Sequence, residues 1–274
     1  MNKLLMAGFM RLRKNKIFWL MTVFSVCWAL FVIYTQYSDM KRYQKVIETE
    51  QLFLFYATTI GIVISVFTSL FLGAEYSDGT IRNKIIIGRR RTDIYLANLL
   101  LTSLTGLYSY ILYIMVVAAI GIPLFGGITI PVPELLITLF CVFIAVMAYS
   151  GIFTFAAMMI SNKAITAIVS VLLAFGMMMA ALTCFSILET PEVVPSASLV
   201  DGEMKIEEIP NPKYPSEEKR KVCQILLDVN PAGQMYQLGG RDIPDLKVLP
   251  IYSLGEFIVF AGAGILLFRK KELT

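Results

Sequence analysis

The chain of 274 residues is 57% hydrophobic and only 16% charged, with a formal net charge of +4. A soluble domain is usually about 45–50% apolar and about 25% charged, so this composition excludes an ordinary soluble protein. The charged residues gather in a few short segments with long charge-free intervals between them, which is typical of a polytopic membrane protein. The positive charge therefore reflects membrane topology, and no nucleic-acid partner is expected.

The first predicted element is an amphipathic helix over residues 1–16, lying in the membrane interface. Leu4, Leu5, Gly8 and Leu12 recur at helical spacing, and basic residues occupy much of the opposite face. An ordinary basic flank without a helix is the alternative.

Six intervals are long and apolar enough to cross a bilayer, which takes about 20 helical residues. Each must be helical, because unpaired backbone groups in lipid cost several kcal/mol apiece. The sequence therefore predicts an all-α polytopic fold that forms a single transmembrane domain over residues 1–274. The predicted spans are residues 17–36, 52–73, 94–121, 133–160, 164–188 and 250–268.

The distribution of Lys and Arg predicts that both termini are cytoplasmic. Residues 1–16 hold five basic residues and no acid, and residues 74–93 hold five more basic residues. The loops on the other side carry no such excess: residues 37–51 are balanced and residues 189–249 are acidic. The chain is thus expected to be a multi-pass protein of the plasma membrane, with membrane lipids around it.

The predicted extracellular loop at residues 189–249 is the largest segment outside the spans. Its proline-rich first part is expected to be irregular. Ser216 is a suitable N-cap for an amphipathic helix, and a second short helix is expected from Pro231. These helices could cap the exit of a pathway or only pack as a folded loop. Cys184 and Cys223 could form a disulfide, although their spacing does not require one.

Residues 75–91 join the second and third spans on the basic side, and they contain more pattern than a connector of about two to eight residues needs. Ser77 or Asp78 is expected to cap a short helix, and Gly88 is expected to end it in a left-handed conformation.

Isoleucines on this short helix are expected to form an exposed apolar strip. Ile81, Ile85 and Ile86 fall on one side of it, with polar residues on the other faces. Such a strip predicts either a surface that docks a partner or a helix that lies on the membrane.

The string EYSDGTIRNK at residues 75–84, followed by Gly88, Arg91 and Ile94-Tyr95, resembles the membrane subunit of type-2 ATP-binding-cassette (ABC) exporters. The pattern of that family runs roughly E-Y-x-x-G-T-[IL]-R, then a glycine, a basic residue and I-Y. The resemblance implies that residues 75–91 hold a coupling helix, which seats in a cleft of a separate ATPase subunit. The residues expected to serve this docking are Glu75, Gly79, Thr80, Ile81, Arg82, Ile85, Gly88 and Arg91. Glu75 is expected to pair with an Arg of the same loop or of the partner.

The sequence lacks residues that several kinds of chemistry require. There is no G-x-x-x-x-G-K-[ST] phosphate-binding loop, and there is no histidine. No catalytic residue, cofactor site or metal site is therefore expected in this chain, and ATP with Mg²⁺ would be held by the partner subunit.

Two carboxylates lie at or within the predicted spans. Glu134 is expected at the outer start of the fourth span, where the helix dipole favours a negative charge. Glu256 lies within the sixth span, and an ionisable group there predicts a functional role. It could line a pathway or gate, or lie in the interface.

The resemblance predicts a permease subunit that works as a dimer, with itself or with a second permease, together with two ATPase subunits. It implies export of an amphipathic antimicrobial peptide, drug or lipid-like molecule, as in lantibiotic- and bacitracin-type immunity permeases. A secondary carrier or channel, or a membrane sensor or scaffold without transport, is the alternative.

Overall fold

The computed structural model describes residues 1–200, 203–240 and 246–272. Within these ranges six helical spans are long and apolar enough to cross a membrane, which confirms the all-α polytopic fold. The spans are α2, α3 with α4, α6, α7, α8 and α11. The elements are α1 (Asn2–Lys14), α2 (Lys16–Tyr43), α3 (Thr49–Phe55), α4 (Ala57–Ser77), α5 (Thr80–Ile86), α6 (Arg91–Phe125), α7 (Val132–Met159), α8 (Lys163–Leu188), β1 (Val193–Val200), β2 (Glu203–Pro210), α9 (Glu217–Val229), α10 (Pro231–Gly240) and α11 (Leu249–Lys270).

Helix α1 packs against the helical bundle, and its buried face is formed by Leu4, Gly8 and Leu12. A Cβ atom added at Gly8 would lie 2.2 Å from Leu101 Cδ1 of α6, so a larger residue here would have to displace the Leu101 side chain. Asn15 then separates α1 from α2 and caps the second helix, accepting hydrogen bonds from two backbone N–H groups at the start of α2. The amphipathic helix expected at residues 1–16 is therefore present.

The second and fourth spans form the centre of the bundle. In the most apolar 18-residue stretch of each span, 67% of the residues are buried in the second span and 50% in the fourth. The corresponding share for α11 is 17%. The outer faces of the remaining spans are apolar and exposed, as expected of surfaces that contact lipid or another membrane subunit.

The second span is interrupted at Tyr56, between α3 and α4, although neither proline nor glycine lies at the break. The Tyr110 hydroxyl donates to the Phe53 carbonyl at 2.9 Å, and the Tyr113 hydroxyl donates to the Leu52 carbonyl at 2.6 Å. In a regular helix the Phe53 carbonyl would accept from the N–H four residues later. Two buried tyrosines of α6 therefore bind carbonyl groups at the break, which is a recognised cause of a helix interruption.

The Tyr56 hydroxyl fixes the break to two neighbouring spans. It lies 3.0 Å from Ser25 Oγ of α2 and 2.7 Å from Ser109 Oγ of α6, and the two serine oxygens are 2.8 Å apart. This buried triangle of hydroxyl groups satisfies polar atoms that would otherwise be costly in an apolar interior.

The segment after α8 is more ordered than its sequence predicted. Strands β1 and β2 form an antiparallel hairpin with Val193 paired to Pro210 and Val200 paired to Glu203, so the expectation of an irregular chain is wrong. Both strands contain β-branched valine or isoleucine, which favours an extended chain despite the prolines.

The two helices expected after the hairpin are present as α9 and α10. The Ser216 hydroxyl caps α9, and α10 begins at Pro231. Cys184 of α8 and Cys223 of α9 are buried free thiols.

Candidate functional site

The loop at residues 75–91 contains the short helix α5, and a glycine with positive φ lies on each side of it. Gly79 (φ 65°) is the residue before α5, and Gly88 (φ 79°) follows it and donates its N–H to the Ile85 carbonyl at 2.9 Å. A side chain would be strained at both positions, so glycine is required by the backbone there. Gly88 ends the helix as predicted. The expected cap was wrong, because Ser77 ends α4 and Asp78 follows it.

The prediction that Ile81, Ile85 and Ile86 form an exposed strip is also wrong, because only Ile86 of the three is exposed. Ile81 is 1% exposed, and Ile85 is partly buried against the same inner apolar cluster. The isoleucines that face outward are Ile86 at 73% and Ile87 at 70% exposure. The helix therefore uses one side to pack on the bundle and leaves an apolar pair open.

Glu75 is the centre of a buried polar cluster at the C-terminal end of α4. Its side chain is 1% exposed, and Oε1 accepts from Lys84 Nζ at 2.5 Å and from Arg11 Nη1. Its other oxygen accepts from Asn98 Nδ2 at 2.9 Å. The expected arginine of the same loop is thus replaced by Lys84, and the arginine comes from α1. One carboxylate thereby joins α1, α4, α5 and α6.

Arg11 is held in this cluster by more than its ion pair. Its guanidinium carbon lies 3.9 Å from the centre of the Phe71 ring, a cation–π arrangement. Burial lowers the pKa of Arg11 from its ordinary value, and the Glu75 carboxylate opposes that shift. In the part of the chain that the structure describes, Nε and Nη2 of Arg11 have no hydrogen-bond partner. Two partly buried cations therefore share one fully buried carboxylate.

A comparison with known families identifies the family to which this chain belongs. Residues 4–188 match the family model described as ABC-2 family transporter protein. The chain belongs to the ABC-2 transporter family. No protein with a curated function matches the chain. The family consists of ABC transporter permeases, which are typically non-catalytic multi-pass subunits of a cell membrane, and membership implies association with an ATP-binding-cassette subunit.

Arg91 connects the start of α6 of this ABC-2 permease to the end of α11. Its Nη1 atom donates to the carbonyls of Phe268 at 3.2 Å and Arg269 at 3.3 Å, and also to the carbonyl of Lys271. These are carbonyl groups at a helix C-terminus, where a cation is favoured. Arg91, expected to face the partner, therefore holds two parts of the permease together.

Lys271 completes this contact outside the last span. Its Nζ atom donates to the Tyr76 hydroxyl at 2.9 Å and to the Met158 carbonyl at 3.0 Å. Burial lowers the pKa of Lys271 to about 8.

The other predicted site residues of the permease differ in their surroundings. Arg82 is exposed and Thr80 is partly buried on the loop, so Arg82 is open to a partner. Glu134 lies in the first turn of α7. Glu256 lies about two turns into α11, and its Oε2 atom is buried without a hydrogen-bond partner among the described residues.

Sequence reasoning missed three members of the Glu75 cluster: Arg11, Lys84 and Asn98. Signals for two of them exist. Arg11 follows Leu4 by seven residues and Gly8 by three, which places it on the buried side of α1. Asn98 is a polar residue in the first part of the third span, where such residues usually have a partner. Lys84 carried no comparable signal.

Proposed function

We propose that the chain is the permease subunit of an exporter, and that loop 75–91 receives force from a separate ATPase subunit. The observation that carries this proposal is the burial of Glu75 between Arg11, Lys84 and Asn98. A movement of α5 is transmitted to its neighbours through these contacts, because breaking a buried ion pair costs about 3–5 kcal/mol.

The outward side of the loop supplies the docking surface. Ile86, Ile87 and Arg82 are exposed around α5, and an apolar pair beside a guanidinium suits a cleft on another protein. Ile81 and Glu75 act behind this surface by holding α5 to the bundle, and ATP with Mg²⁺ is bound by the ATPase subunit.

The cargo is an amphipathic molecule, such as an antimicrobial peptide, a drug or a lipid-like compound, as in immunity permeases. Two permease subunits, identical or different, enclose the pathway, and both termini of each face the cytoplasm. Tilting of the central second span opens the path outward. Glu256, whose carboxyl has a buried unpartnered oxygen, contacts cargo or the second permease in this scheme.

Co-purification of the co-expressed ATPase subunit tests the docking surface. The double variant Ile86→Asp and Ile87→Asp is expected to lose the ATPase while still inserting in the membrane, because both side chains are exposed. Val46→Asp is the matched control, since Val46 is 86% exposed and lies between α2 and α3. A double variant that retains the ATPase and full ATP-driven export would remove the support for docking at this loop.

A further inference from the structure

A groove with a volume of about 500 Å³ lies where α1, α2 and α6 meet. Its walls are almost entirely apolar or aromatic, and they include Phe9, Phe18, Leu104 and Tyr108. The rings of Phe18 and Tyr108 stack at 5.3 Å between centroids and form a continuous aromatic wall between α2 and α6. A space of this kind accommodates a flexible hydrocarbon chain better than a polar ligand.

The end of the groove next to α1 is held in a fixed geometry. Trp19 lines the groove, and its Nε1 atom donates to the Arg13 carbonyl at 2.9 Å. Tryptophan with an apolar body and a bonded N–H is the residue type enriched at the membrane–water interface. This end of the groove therefore has the features of a site that lies at the depth of the lipid headgroups.

Positive charge is concentrated at the same end. Arg13 lines the groove and is exposed, and it has no ion-pair partner within the described ranges. Lys14 and Lys16 follow it and are exposed, and residues 1–16 contain no acid. A guanidinium binds a phosphate through two parallel hydrogen bonds, and each nearby cation adds about 1 kcal/mol of attraction to an anionic membrane surface.

We infer that this groove is a binding site for an anionic phospholipid. One acyl chain lies along the Phe18–Tyr108 wall, and the headgroup phosphate is bound by Arg13 with Lys14 and Lys16 nearby. The inference rests on the inward orientation of α1 in the proposed function, which places the groove in the inner leaflet.

Helix α1 connects the groove directly to the coupling loop at residues 75–91. Helix α1 carries Arg13 at the groove and Arg11 at Glu75, two residues apart on one rigid element. A lipid that holds Arg13 and Phe9 therefore also holds the helix that positions Arg11. Anionic phospholipid is in this sense a structural partner of the Glu75 cluster.

Native mass spectrometry of the detergent-purified permease, after incubation with phosphatidylglycerol or phosphatidylcholine, tests this site. Wild-type protein is expected to retain about one phosphatidylglycerol per chain and several-fold less phosphatidylcholine. Arg13→Gln should lose the preference between the two lipids. Leu104→Trp, which fills the groove without changing charge, should reduce retention of both. Lys3→Gln, on the same helix but outside the groove, should behave as wild type.

Three results would overturn the site. Equal retention of the two lipids by wild type would mean ordinary surrounding lipid, and competition by millimolar inorganic phosphate would mean a headgroup-only anion site. A dimer that carries no bound lipid would mean that a second permease copy covers the groove. ATPase co-purification with Arg13→Gln is measured in parallel, so failure of the lipid site is distinguishable from failure of docking at loop 75–91.

Discussion

At the residue scale, Glu75 is the side chain that joins α1, α4, α5 and α6 at one end of the bundle. It is buried, it contacts three other elements, and its two cationic partners are separated from it by 64 and 9 residues in the sequence. A buried carboxylate with these partners is stable only while its charge is matched, because an unpaired buried charge is far more costly than a missing pair.

Glu75→Gln is expected to lower the stability of the permease by about 1–3 kcal/mol, because Arg11 and Lys84 would lose their carboxylate partner while remaining partly buried. Thermal unfolding of the purified protein in detergent measures this loss. Glu134→Gln, which changes an exposed carboxylate in the first turn of α7, should shift the unfolding temperature little. Equal unfolding temperatures for wild type and Glu75→Gln would contradict a structural role of the ion pairs.

At the element scale, the second span consists of two helices that behave differently. Helix α4 leads directly into loop 75–91, whereas α3 is separated from it by the break at Tyr56. Two tyrosine hydroxyl groups of α6 bind backbone carbonyls at the break, so we expect the break to depend on the α6 sequence.

The double substitution Tyr110→Phe and Tyr113→Phe removes both hydroxyl donors at the break while keeping the rings. The Leu52 and Phe53 carbonyls then lose buried partners, and each loss is expected to cost about 1–3 kcal/mol. Unfolding measurements give the size of the effect, and hydrogen exchange should locate it between α3 and α4. Tyr34→Phe, at an exposed position of α2, is the control. Unchanged exchange in this region would show that the break does not depend on the tyrosines.

The sequence predicted the spans because each needs about 20 apolar residues, a condition that is visible without any tertiary contact. It predicted a short helix in loop 75–91, since the positive-φ position of Gly88 is a local property. It could not predict which side of α5 is buried, because helical spacing groups Ile81 with Ile85 but does not say what covers them. The contacts of Glu75 with Arg11 and Asn98 are likewise long-range and depend on the packed bundle.

At the scale of the whole molecule, the burial of the spans is uneven. The second and fourth spans are enclosed, while α8 and α11 leave most of their apolar surface outside. This unevenness is expected of a membrane subunit that contacts lipid and other subunits on several sides.

Accessibility labelling of intact cells tests the proposed orientation of the whole chain. A membrane-impermeant maleimide is expected to label Val46→Cys from outside and to label Arg90→Cys only after the cells are opened, because the two residues are exposed on opposite ends of the bundle. The native cysteines contribute little background outside the membrane, since three are buried and Cys27 lies within α2. Labelling of Arg90→Cys in intact cells would reverse the topology and the mechanism built on it.

The contact between Arg91 and the end of α11 also affects the order of biosynthesis. The carbonyl acceptors of Arg91 are made 177 to 180 residues after it, so they do not exist while the first five spans enter the membrane. A growing chain is ordered from its N-terminal part onward. This end of the permease is therefore completed only when the last span has been inserted, and in an unfinished chain Arg91 would lack the carbonyl acceptors that join the start of α6 to the end of α11.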